Sequence, residues 1–116
     1  MLTVGDEFPQ FSVQACTGTE KEDIKLLTSA DYSGKWTVFF FYPKDFTFVC
    51  PTELAEFNKQ LKSFSDRDTS VVGGSTDNEW CHMMWRRSHA DLNDLAYPLI
   101  AAQKLGAELG ILEQTE

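Results

Sequence analysis

Between Val38 and Tyr42 the chain reads VFFFY, apolar at every position, and it meets Pro43 immediately afterwards. A strand that is apolar on both faces needs cover on both sides, so this run predicts a buried strand rather than a half-solvated one. From Cys50 the pattern changes period. Leu54, Phe57, Leu61 and Phe64 recur at spacings of three, four and three, which marks one face of an amphipathic helix with Pro51 at its first position. Thr69 to Ser75 predicts a second short strand ended by Gly73 and Gly74. Asp77 is placed to cap a helix running through His89, with Trp80, Met83 and Met84 as its apolar stripe. Tyr97 to Ala101 predicts a third strand and Gln103 to Leu112 a third helix, while Phe11 to Leu27 reads as a hairpin or a loop. Strand and helix in alternation predict parallel crossovers and an α/β layered sheet in the order third, second, first. There is no repeat, low-complexity tract or linker, so residues 1–116 are expected to form a single domain.

Composition narrows what such a sheet can be for. A chain of 116 residues buries roughly two thirds of its unfolded surface, and nine Phe, three Trp and three Tyr supply the core. The 18 acidic residues outnumber the 10 basic ones, for a net charge of −8. Phosphate backbones are bound by clustered Lys and Arg, so nucleic acid is excluded as a partner. The acids are scattered, as on a solvated surface. Residues 1–11 carry Asp6 and Glu7 and none of the basic-then-apolar pattern of a secretory leader. The longest apolar stretch, Trp36 to Tyr42, is far short of a membrane span. A cytoplasmic protein with no membrane partner is expected. Cys16, Cys50 and Cys81 lie far apart with no C-x-x-C pairing, which argues for reduced thiols over a disulfide framework or zinc knuckle.

Cys50 stands out, because it falls at the N-terminus of the helix that follows the most apolar strand. Free backbone N–H groups and the helix dipole favour an anion there, and a thiolate is one. At a pKa of ~8.5 a thiol is about 3% ionised at pH 7, and at about 6 it is roughly 90% ionised, a gain of about thirtyfold. Lower basicity removes about tenfold of that in intrinsic nucleophilicity, taking a slope of ~0.45. The net gain is only a few-fold, so activation by pKa alone makes a poor catalyst. Neighbours must hold the substrate and stabilise the leaving group. Thr47, three residues earlier, brings a hydroxyl, and Pro43 can shield the sulfur from water.

Pro43, Thr47 and Cys50 reproduce the P-x-x-x-T-x-x-C signature of peroxiredoxins, and FFFYPK followed by DFTFVCPTE resembles the alkyl hydroperoxide reductase C type, the typical two-cysteine branch. VGDEFPQF and STDNEWCHMMWRRSH are similar to that family's N-terminal strand and its later helix, so the resemblance runs from Met1 to Leu112. It implies a thioredoxin-like sheet lacking its C-terminal strands and helix in this chain, a domain incomplete at its C-terminus. It implies a peroxidase reducing hydrogen peroxide and small organic hydroperoxides through a cysteine sulfenic acid. By resemblance Cys50 is the peroxidatic nucleophile, Thr47 orients the peroxide, Pro43 is the lid and Glu53 a polar supporting residue. A thiol or disulfide reductase is the implied electron donor, no cofactor is implied, and a homodimer or ring of dimers is the implied assembly. The family's arginine and resolving cysteine lie in its later part. Arg67, Arg86 and Arg87 do not match the motif arginine, and neither Cys16 nor Cys81 sits where a resolving cysteine belongs.

Competing readings attach to several of these residues. Cys81, His82 and His89 suggest zinc, but adjacent Cys81 and His82 point to different helix faces and a fourth ligand is lacking, so no metal is expected. Cys16 and Cys81 are read as structural thiols, Met83 and Met84 as core filler. His82 and Trp85 fit family positions and are assigned to packing and subunit contact. Glu56 is read as a first-turn acid favoured by the helix dipole. Two other functions stand beside the peroxidase: a catalytically crippled chain retaining only assembly or interaction surfaces, and a disulfide reductase. The latter is opposed by Glu53, which occupies the place of the second cysteine of C-x-x-C.

Overall fold

The computed structural model describes residues 3–46 and 50–111, and of Cys50 the main chain alone. A hairpin comes first: β1 (Ser12–Cys16) pairs antiparallel with β2 (Ile24–Thr28). There follow β3 (Trp36–Phe41), α1 (Cys50–Lys59), α2 (Leu61–Ser65), β4 (Thr69–Ser75), α3 (Glu79–Ser88), β5 (Leu99–Ala101) and α4 (Gln103–Leu109). The five strands lie in the order β2-β1-β5-β4-β3. β3 pairs parallel with β4, and β4 parallel with β5, so the expected third, second, first arrangement is what forms. β1 closes the other side by an antiparallel pairing with β5.

Alternation along the strands divides the core in two. Val71 of β4 and Phe40 of β3 face a cluster with Leu54, Trp85, Tyr97 and Leu99, onto which Phe57, Leu61 and Phe64 also pack. Val72, Phe39 and Phe41 face the opposite cluster, where Leu105 and Leu109 of α4 lie with Ile100 and Val13. Both faces are covered, as parallel strands require.

Several local expectations are corrected. The face Leu54, Phe57, Leu61, Phe64 is real, but Gln60 divides the helix into α1 and α2. Gly73 and Gly74 do not end β4, which runs on to Ser75. They are glycines because the neighbours crowd them: a Cβ at Gly73 would stand 2.7 Å from the Phe40 ring, and one at Gly74 2.7 Å from the Ile100 side chain. Phe40 cannot swing aside, since it stacks on Phe57 at 4.1 Å. α3 is capped by Asn78, whose side chain accepts from the Cys81 N–H, and not by Asp77. Its buried face is His82, Met83, Trp85 and Arg86; Trp80 and Met84 are exposed. The stripe expectation failed because His82 and Arg86 bury their polar groups by bonding them internally, which hydropathy does not register. β5 begins at Leu99, and the expected end of the last helix at Leu112 lies outside the described residues.

Candidate active site

β3 hands the chain to α1 through a short connection, and that connection is where the sequence concentrates its chemistry. Tyr42 extends the pairing one step beyond β3, its N–H donating to the Gly74 carbonyl at 3.0 Å. α1 then begins at Cys50, with Pro51 buried in its first turn and Glu53 exposed on it. Pro51 has no N–H to satisfy, so it fits a helix start. The main chain of Cys50 thus stands where unpaired amide groups point outward and favour negative charge. Leu54, fully buried one turn on, fixes the helix to the core. Pro43 is exposed on the connection, while Thr47 and the Cys50 side chain lie outside the described residues.

Beneath the connection is a buried polar knot centred on Asp45. The Tyr42 hydroxyl donates to Asp45 Oδ1 at 2.7 Å, and His82 Nδ1 meets Asp45 Oδ2 at 2.6 Å. Ser75 Oγ reaches Oδ1 at 3.5 Å. His82 Nε2 lies 2.9 Å from the Ile100 carbonyl, which can only accept, so that nitrogen carries a hydrogen. The Asp45 N–H donates to Asp77 Oδ2 at 2.7 Å, and the Asp77 N–H to Ser75 Oγ at 3.2 Å. Burial, then the charge and hydrogen bond of Asp45, drive the Tyr42 phenol far above its ordinary range. Phe46, next in the chain, has φ +61°, a left-handed backbone rare outside glycine, and its ring lies 6.1 Å from that of Trp85.

The other two thiols sit in environments that suppress ionisation. Burial first, then the charges of Asp45 and Asp77, push the Cys81 thiol up to about 11. Cys16 is fully buried, its thiol donates to the Gly18 carbonyl at 2.9 Å, and burial raises its pKa. Asp45, Asp77 and Cys81 bring possible ligand atoms within 4.8 Å of one another. The Asp45 oxygens are already engaged by Tyr42, His82 and Ser75, and the thiol is held protonated, so hydrogen bonds account for the cluster. The zinc trio does not assemble: both His82 nitrogens are bonded in the interior, and His89 Nδ1 accepts from the Asp91 N–H. Arg86 is fully buried and donates to three main-chain carbonyls, those of Cys16, Tyr97 and Leu95.

 By atom, Arg86 Nη1 serves the Cys16 carbonyl at 2.6 Å and the Tyr97 carbonyl at 3.3 Å, and Nη2 serves the Leu95 carbonyl at 2.6 Å. This arginine is a structural pin between β1 and the approach to β5. No helix among the described residues is long and apolar enough to cross a membrane.

Sequence reasoning marked Cys50 and its neighbours but missed the knot. Asp45 was visible inside DFTFVC, yet nothing local says that Ser75, Asp77 and His82 among its partners stand 30 or more residues away. Asp77 was misread as a helix cap, and His82 was assigned to packing.

A layered α/β protein with a cysteine opening the helix after a parallel strand, over a buried polar knot, is the class that fold and site define. The comparisons with known proteins agree. The AhpC/TSA family model matches residues 4–115, and the chain belongs to that family. It is 46% identical to an alkyl hydroperoxide reductase C of Mycolicibacterium smegmatis, over 97% of this chain and 63% of the relative, and 38% identical to a thioredoxin peroxidase of Fasciola hepatica, over 100% and 61%. It therefore spans somewhat under two thirds of the length of these curated relatives. Among solved structures, Mycobacterium tuberculosis AhpC superposes with a TM-score of 0.88 at 40% identity, covering 97% of this chain and 70% of that one. The sheet and its helices are accordingly of the thioredoxin-like, peroxiredoxin kind.

Proposed function

We propose that the protein is a thiol peroxidase, acting on hydrogen peroxide and small organic hydroperoxides through Cys50. The observation that carries this reading is the start of α1 at Cys50, directly after the connection tethered by Asp45. The Cys50 thiolate attacks the terminal peroxide oxygen. The S–O bond forms as the O–O bond breaks, the sulfur loses two electrons to the peroxide, and the departing hydroxide or alkoxide takes a proton. The product is the Cys50 sulfenic acid. Thr47 orients the peroxide by its hydroxyl, Pro43 limits water at the sulfur, and Glu53 is a polar neighbour of the site. A thiol then displaces water from the sulfenic acid to give a mixed disulfide, and a second thiol, or a disulfide reductase, restores Cys50.

The same reading takes residues 1–116 as one domain of a cytoplasmic protein forming a homodimer or ring of dimers, with no cofactor. The test is exposure of the purified protein to substoichiometric peroxide, trapping of sulfenic acid, and mass spectrometry of its peptides. Oxygen gained at Cys50 with peroxide consumed is the expected result. Peroxide left unconsumed, with Cys50 unmodified, would favour a chain that serves only assembly.

A further inference from the structure

Asp45 is fixed in two separate ways. Its carboxylate is held by Tyr42, His82 and Ser75, while its main-chain N–H donates to Asp77 Oδ2 at 2.7 Å. The carboxylate bonds locate a side chain; the main-chain bond holds the backbone where it enters Asp45. Asp77 is itself fixed, because its own N–H donates to Ser75 Oγ at the end of β4. The next residue, Phe46, adopts a left-handed backbone that costs a non-glycine residue on the order of 1–2 kcal/mol and persists only where the surroundings enforce it. Asp77 is not needed as a helix cap, a task Asn78 performs.

We propose that Asp77 is a positioning residue for Cys50: by accepting the Asp45 N–H, its carboxylate anchors the chain between β3 and the start of α1, where Cys50 stands. This rests on the peroxidase reading above. Asp77 also faces Cys81, and its charge is one of the causes holding that thiol protonated. The carboxylate thus acts on two cysteines in opposite senses, by a hydrogen bond that serves Cys50 and by a charge that quiets Cys81. Those two effects separate by substitution. Asparagine keeps an oxygen that can accept the Asp45 N–H but removes the charge; alanine removes both.

The experiment compares the purified protein with Asp77→Ala and Asp77→Asn, measuring hydrogen peroxide reduction at Cys50, peptide-resolved alkylation of Cys81, and circular dichroism. Asp77→Ala is expected to slow the Cys50 reaction about tenfold, the scale of a small misplacement of a reacting group. Asp77→Asn should recover most of that loss, while Cys81 alkylates several-fold faster than in the parent. An unchanged Cys50 rate in Asp77→Ala overturns the assignment, and so does an Asp77→Asn protein as slow as Asp77→Ala. Should the alanine protein fail to fold, the asparagine protein decides alone: a Cys50 rate near the parent's with faster Cys81 labelling supports the hydrogen bond, and a tenfold loss at Cys50 refutes it. A parent protein whose Cys50 does not consume peroxide is a different failure, that of the peroxidase reading itself.

Discussion

The Tyr97 hydroxyl donates to the main-chain carbonyl of Leu54 at 2.6 Å, joining the approach to β5 to the helix that Cys50 begins, one turn beyond its start. Tyr97 is almost fully buried, and burial raises its phenol well above the ordinary range, so the donor keeps its proton throughout the working pH range. Tyr97→Phe removes the hydroxyl and little else. It is expected to cost about 1 kcal/mol of stability, and to slow Cys50 chemistry by loosening the start of that helix. Denaturant unfolding and alkylation of Cys50, measured on the same preparation, check both halves.

The three thiols should be ranked by ionisation. With its pKa pushed up to about 11, Cys81 is only ~0.1% thiolate at pH 8, and its labelling should keep rising with pH toward that value. Burial first, and then the acids beside it, stabilise the neutral thiol, so reactivity is suppressed below the raised pKa and appears above it. Cys16, buried and raised in the same sense, should label only on unfolding. A limiting alkylating pulse near pH 7 is therefore expected to modify Cys50 first. Equal labelling of all three in peptide maps would remove the basis for singling out Cys50.

Thr47 is assigned a hydroxyl's task, and a hydroxyl can be tested against a methyl of similar size. Thr47→Ser should keep most of the peroxide reduction, and Thr47→Val should lose about 10²-fold, the usual cost of removing one oriented donor. A valine protein as fast as the parent in peroxide consumption would show that the hydroxyl takes no part.

How much of this was readable from the chain follows from the range of the interactions. VFFFY and the Leu54, Phe57, Leu61, Phe64 face are local periodicities, and they located β3 and the helical segment after Cys50 before any contact was known. β4 was bounded correctly, but Gly73 and Gly74 were taken as its end, because the crowding by Phe40 and Ile100 that requires glycine comes from other strands. Asp45, Asp77 and His82 were individually unremarkable polar residues. Their bonds span 32 to 37 positions, and no spacing rule reaches that far.

Arg86 shows the same limit and yields a fourth prediction. It was noted only as an arginine that does not match a motif, yet it is fully buried and serves three main-chain carbonyls. Arg86→Leu keeps the bulk but leaves those carbonyls without their donor, at about 1–3 kcal/mol for each one that water cannot reach. Stability should fall by about 3 kcal/mol or more, read as a lower midpoint in urea. A midpoint unchanged from the parent would mean that the carbonyls find other partners.

The last prediction concerns β3. Among the described residues it pairs on one side only, with β4, so its outer N–H and C=O groups form an open edge. The strand WTVFFF carries no charge and no proline, the devices that ordinarily blunt an edge, and Trp36 at its start is 77% exposed. Phe39 and Phe40 face opposite sides and are partly buried, so both faces beside the edge carry aromatic rings. Prepared by itself, a polypeptide of residues 1–116 is therefore expected to associate through this edge and to melt at low temperature. Trp36→Lys puts a charge on the edge without touching either core cluster, and it should reduce association while leaving secondary structure intact. Light scattering and thermal melting over a concentration series provide the readout. A monodisperse monomer with a cooperative melt, indifferent to Trp36→Lys, would show that the edge is not the weak point.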